Sequence, residues 1–225
     1  MSEILPENLD LLYVLCGGIN LIPGKGFVPT DYSDSDQYGM LGGYYRVVAA
    51  SIVCKVVDVN GIVFSTGVPE KTRERYGDGT PTESAVYMAA FVDEFSKTTA
   101  DKDIVGPKPK GLLIVGEEGL STNTFGNIQQ AKTAIDNNPK LLNVGFLSSR
   151  YHLPRIQGIV NFIFPDLERR KIMHYISAEE VLLQHKPQVY EGIIRLAYES
   201  VEAQKRSMNE NKGLLNLAMG TYPTD

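Results

Sequence analysis

Short apolar runs alternate with longer segments of helical spacing along most of the chain. "LLYVLCGG" (residues 11–18) is apolar at nearly every position and stops at two glycines, the pattern of a strand buried on both faces. A helix is predicted over residues 44–57, a second strand over "GIVFSTG" (61–67), and a second helix over 80–97. Thr80 and Glu83 have the spacing of a capping box, and Pro81 suits the first helical position, so that helix is expected to start at Thr80.

A third strand (111–118) and helix (122–138), a fourth strand (143–149) and helix (152–164), and a fifth strand (171–177) continue the alternation. Ser177 and Glu180 form another capping pattern before "AEEVLLQHK", and residues 189–207 form an amphipathic helix. Strands that alternate with helices and are apolar on both faces predict an α/β domain, with a mostly parallel sheet of about five strands between helical layers. One unit is expected over 1–225, with a core at 11–177, a helical extension at 178–208 and a tail at 209–225. Two long polar connections, 20–43 and 68–79, follow strand ends, where parallel sheets bind ligands; the second is basic in its first half.

Composition narrows the function classes. With 43% apolar and 22% charged residues the chain is of ordinary globular type, and its net charge of −5 argues against a nucleic-acid partner held by bulk electrostatics. Cys16 and Cys54 sit in apolar patterns with no metal-ligand spacing, so both are expected as buried free thiols. No metal site is predicted, because HxH, HExxH and CxxC spacings are missing. Neither a leader nor a membrane-length apolar run appears, so a cytoplasmic protein without a membrane partner is expected. GxSxG, GxGxxG and Walker A patterns are absent as well.

The candidate chemistry clusters at strand ends. Ser149 or a neighbour is expected to cap the fourth helix, with His152 and Arg155 on one face of its first turn, where helix N–H groups favour an anion. Glu118, Ser121, Asn123, Thr124 and Asn127 crowd the end of the third strand, more polar groups than capping requires. Ser65, Thr66 and Gly67 end the second strand, and Gly17 and Gly18 the first. From local pattern alone, Glu83 fits a cap and Arg46 either a helix surface or a site. His174 and His185 are expected to be structural or surface residues.

Together "LLYVLCGG", Arg46, "VFSTG", "TESAVYM", "GEEGLSTNTFGN" and "LSSRYHLPR" resemble the YdcF-like family, which includes the SanA and ElyC branch. The resemblance spans roughly residues 11–164 and is most specific at Glu118, Ser121, Asn123, Thr124 and Asn127 with Ser149, His152 and Arg155. Gly126 and Thr66 depart from the family pattern, which has Glu and Gly there, and the anchor of the SanA and ElyC branch is missing.

The resemblance implies a three-layer, Rossmann-like fold and a soluble branch described as binding S-adenosylmethionine. It also implies that Arg46, Ser65, Thr66, Gly67 and Glu83 join the pocket. Two expectations follow. In the first, a small anionic or adenosyl-containing metabolite binds at the sheet's carboxyl edge. Gly17, Gly18 and Ser65 would approach it, Asn123, Thr124 and Asn127 would position it, Arg155 would hold an anion, and Glu118 would accept from a hydroxyl or ammonium. In the second, an enzyme acts on a phosphorylated or glycan-phosphate substrate. His152 would be its general acid/base, Glu118 its carboxylate counterpart, and Arg46 and Arg155 its charge stabilisers.

Overall fold

The computed structural model of the protein describes residues 5–32, 42–106, 114–164 and 172–222. Its elements in chain order begin with β1 (Asn8–Leu9), β2 (Leu11–Leu15), β3 (Ile19–Ile22), β4 (Gly26–Pro29), α1 (Gly43–Val56), β5 (Asp58–Val59) and β6 (Gly61–Ser65). Next come α2 (Glu70–Tyr76), α3 (Glu83–Ala100), β7 (Ile114–Glu118), α4 (Thr124–Asp136) and β8 (Asn143–Ser148). The chain ends with α5 (Leu153–Ile163), β9 (Ile172–Ser177), α6 (Ala178–His185), α7 (Pro187–Glu199) and α8 (Val201–Ala218).

Five parallel strands form the central sheet in the order β7-β6-β2-β8-β9. From β2 the chain steps outward to β6 and β7, then returns across β2 to β8 and β9. That reversal makes the β2/β8 boundary the topological switch point, and the crevice beyond the carboxyl ends of those strands is the usual ligand position. Leu12, Val14, Ile62, Phe64 and Phe146 are fully buried, as strands covered on both faces require. On one face α1, α3 and α6 enclose one apolar core; on the other α4 and α5 enclose a second around Tyr13, Leu15 and Phe146. Helix α1 is apolar nearly all round and buried along almost its whole length, because α3 and α6 pack against it over the same face of the sheet. The three-layer α/β/α fold with added C-terminal helices is thus as expected.

Several local expectations are corrected. Helix α3 starts at Glu83, and its cap is Thr82, whose hydroxyl accepts from Ala85 N at 3.1 Å. Thr80 instead closes a turn onto Gly77 O, and Glu83, as the first helical residue, turns toward the end of β2, where its Oε2 accepts from Gly18 N. Helix α5 is capped without a side-chain bond at His152, not by Ser149. Ser177 does cap α6, accepting from Glu180 N at 3.2 Å. The helix expected over 189–207 breaks at Ser200, whose side chain accepts from Ala203 N at 3.1 Å and starts α8. Helix α8 then runs through most of the expected tail. The connection after β2 holds the antiparallel β3–β4 hairpin, and the one after β6 holds α2. Residues 33–41 of the first connection, and 111–113 and 171 of two expected strands, lie outside the described residues.

Candidate functional site

The parallel register lines up the strand ends: Leu15 faces Ser65, and Ser65 faces Glu118. Side chains leaving this row meet one another without further chain folding. Glu118 is tied down by four donors. Its Oε1 accepts from Leu120 N at 2.7 Å and Ser121 N at 2.8 Å, and its Oε2 accepts from Ser65 Oγ at 2.8 Å and from the Ser121 hydroxyl. Ser121 also bonds the Asn127 side-chain oxygen, and Asn127 Nδ2 donates to Thr66 Oγ1 at 3.0 Å. Asn123 caps α4, its Oδ1 accepting from Gly126 N at 2.8 Å. Gly67 is where two loops touch: a Cβ there would lie 2.3 Å from Gly119 O. Glu118, Ser121 and Asn127 therefore build the rim by bonding to one another.

The β2 end is equally self-contained. Arg46, on α1, is 2% exposed and spans four acceptors: Leu15 O at 2.7 Å, Cys16 O at 2.9 Å, Ser149 Oγ at 3.0 Å and Tyr151 Oη at 3.3 Å. It staples the switch point, joining β2 to the loop after β8. Gly17 has no Cβ because the guanidinium lies against it; a Cβ would sit 2.8 Å from Arg46 Cζ. The Gly17 amide donates to Tyr87 Oη at 2.8 Å and that of Gly18 to Glu83 Oε2 at 3.0 Å. The two glycine amides expected to approach a ligand are thus taken by α3. Tyr87 and Thr30, whose hydroxyl donates to Gly17 O at 2.8 Å, belong to this network, and nothing in their local sequence singles them out.

The third group stands at the start of α5. His152, 7% exposed, places Nδ1 2.9 Å from Ser148 Oγ and Nε2 3.1 Å from Arg155 Nη2 and 3.2 Å from Thr124 Oγ1. A guanidinium only donates, so Nε2 is the acceptor and the ring proton sits on Nδ1, directed at Ser148. Burial, then the neighbouring guanidinium groups of Arg155, Arg46 and Arg206, hold the imidazole well below the usual histidine range. It is neutral at pH 7. Arg155 donates from Nη2 to Thr124 Oγ1 at 3.0 Å and pairs through Nε with Glu210 of α8 at 2.7 Å. Glu210 lies in the segment expected as tail, and its part in the site is visible only once α8 is folded over α5.

The open space lies beside these networks. A cleft of about 340 Å³ at the carboxyl edge is lined by Gly18, Ile19, Lys71, Arg75, Thr122 and Arg206, with Pro69, Tyr76, Thr72 and Glu70 completing its walls. Three basic side chains face it against one acidic one, in a chain of net charge −5. Among the expected site residues only Gly18 lines this cleft. The basic composition of residues 68–79 after the second strand was the signal for Lys71 and Arg75. Among the described residues no three His, Cys, Asp or Glu side chains gather as a metal site, and no helix is long and apolar enough to cross a membrane. Both cysteines are buried free thiols, and burial pushes each thiol's pKa upward. No family model matches the chain, and neither a curated protein nor a solved structure matches it.

Proposed function

We propose that this chain is a YdcF-like domain that binds a small anionic metabolite of nucleotide type in the cleft at the carboxyl edge of its sheet. The observation behind this is the grouping of Lys71, Arg75 and Arg206 around one cleft beside the ends of β2, β6 and β7. Basic side chains from two separate elements favour an anion, and Ile19, Pro69 and Tyr76 offer an apolar wall to a flat base. Concave sites with an apolar wall and a few charged groups are the usual form of small-molecule pockets.

S-adenosylmethionine suits these walls less well. Its sulfonium and ammonium outweigh its carboxylate, and the basic side chains here outnumber the acidic one. Within this reading the Glu118–Asn127 and Arg46 networks hold the loops that shape the cleft. They are positioning groups.

Calorimetric titration of the purified protein with adenosine nucleotides and with S-adenosylmethionine tests the reading. Nucleotide binding is expected to exceed that of S-adenosylmethionine and to weaken at least roughly tenfold in Arg75→Met, the loss of one charge-assisted hydrogen bond. Absence of heat from every adenosyl ligand at millimolar concentration refutes it. Phosphate released from a nucleotide, and lost in His152→Ala, would instead establish the hydrolase reading.

A further inference from the structure

Helix α8 places a buried carboxylate where the start of α5 would receive an anion. Glu210 is 3% exposed and is one of only two buried residues on that helix, the other being Ala203. Its Oε2 lies 2.7 Å from Arg155 Nε and 4.0 Å from His152 Nε2, and its Oε1 lies 3.7 Å from Arg206 Nε. Arg155 meanwhile bonds Thr124 at the start of α4. A carboxylate, two guanidinium groups, a neutral imidazole and a helix-start threonine thus form one corner beside the cleft.

Beyond those two buried residues, the helix that supplies the carboxylate packs on α5 through half-buried side chains. Leu214 and Leu217 pack over Gly158 of α5, where a Cβ would lie 2.9 Å from Leu214 Cδ2. Gly213 makes room for the Arg155 stem, which would lie 2.9 Å from a Cβ there. Val201, Met208, Leu215 and Met219 are exposed. Arg206 belongs to both places, lining the cleft and facing Glu210.

We propose that Glu210 is a built-in ligand of an anion subsite made by Arg155, Thr124 and Arg206, with His152 holding the Arg155 guanidinium in place, and that a phosphate or carboxylate group of the bound metabolite replaces Glu210, releasing α8. This deepens the cleft reading, sharing with it the claim that the carboxyl edge receives an anion. Glu210 then acts as a competitor tethered to the site, and the apparent affinity for an external anion is reduced by the fraction of molecules in which the helix is docked.

Inorganic phosphate is the probe, with the full-length protein throughout. In Glu210→Ala, shown to be folded by circular dichroism, phosphate should bind at least about tenfold more tightly than in the wild type, because the competitor is gone. The gain should vanish in Glu210→Ala combined with Arg155→Met. Glu210→Gln, which removes the charge and keeps the shape, should show the same direction and serves if the alanine variant does not fold. In the wild type, saturating phosphate should raise amide hydrogen exchange across residues 201–218.

Unchanged phosphate affinity in a folded Glu210 variant, or unchanged exchange in wild-type α8, overturns the proposal and leaves Glu210 a fastener of the helix. Nucleotide heat that depends on Arg75, found together with either of those results, leaves the cleft reading standing. A phosphate gain in Glu210→Ala without any nucleotide heat removes the cleft reading and keeps the subsite.

Discussion

Replacing Arg46 by methionine removes a guanidinium that no solvent reaches and four hydrogen bonds at once, to Leu15 O, Cys16 O, Ser149 Oγ and Tyr151 Oη. Hydrogen bonds from a charged donor contribute roughly 1.5–3 kcal/mol each, about 6 kcal/mol in all at the low end. The four bonds share one side chain and do not add independently, so the net loss expected is about 3 kcal/mol, the low end for removing one partner of a buried charged network. The carbonyls of Leu15 and Cys16, left facing an apolar side chain, keep the value from falling toward zero. Lysine retains the charge but not the planar fork, and one ammonium does not reach acceptors on both β2 and the loop after β8; Arg46→Lys should lose about 2 kcal/mol. Urea unfolding followed by far-UV circular dichroism measures both. A ligand-contact role predicts the reverse outcome, stability near wild type with binding lost. Arg46→Met within about 0.5 kcal/mol of wild type would refute the reasoning that the residue is a staple of the switch point.

Gly67→Ala sets a Cβ 2.3 Å from Gly119 O and 3.0 Å from Ser121 O, both backbone, and should lose at least about 2 kcal/mol. Gly116→Ala, whose Cβ among the described residues meets only Val63 Cγ2 at 3.7 Å, is the control, and equal stability of the two variants would count against the loop contact. The depressed His152 titration has a definite sign: the unfolded chain takes up the proton first, so its contribution to stability is present above pH 6.5 and is lost as pH falls below it. Wild type should therefore lose stability relative to His152→Gln by at most about 1.4 kcal/mol per pH unit over that fall, and parallel stability–pH curves would show that the ring is not held neutral.

The rim motifs illustrate how far a linear pattern reaches. His152 with Arg155 on one helical turn follows from their spacing of three residues and is found so, whereas Asn123, expected to position a ligand, caps α4. Glu83 misled because Thr80–Pro81–Thr82 offers two hydroxyls to the same helix start, and Thr82 captures the amide. With the frame shifted, Glu83 reaches Gly18, a partner 65 residues away that no local rule contains. The glycines after β2 are expected from the sequence to approach a ligand. In the structure the guanidinium of Arg46, supplied by the next helix, lies against Gly17.

The layered α/β plan is already legible in the linear pattern, because strands buried on both faces must be apolar throughout and helices covering them must carry an apolar stripe. So is which strand ends are polar. How those polar groups pair is set by the packing of whole elements. Strand order brings Ser65 to Glu118, and the docking of α8 on α5 brings Glu210 to Arg155. Such contacts join residues dozens of positions apart, so their energies depend on packing between elements, which periodicity within any one element does not encode.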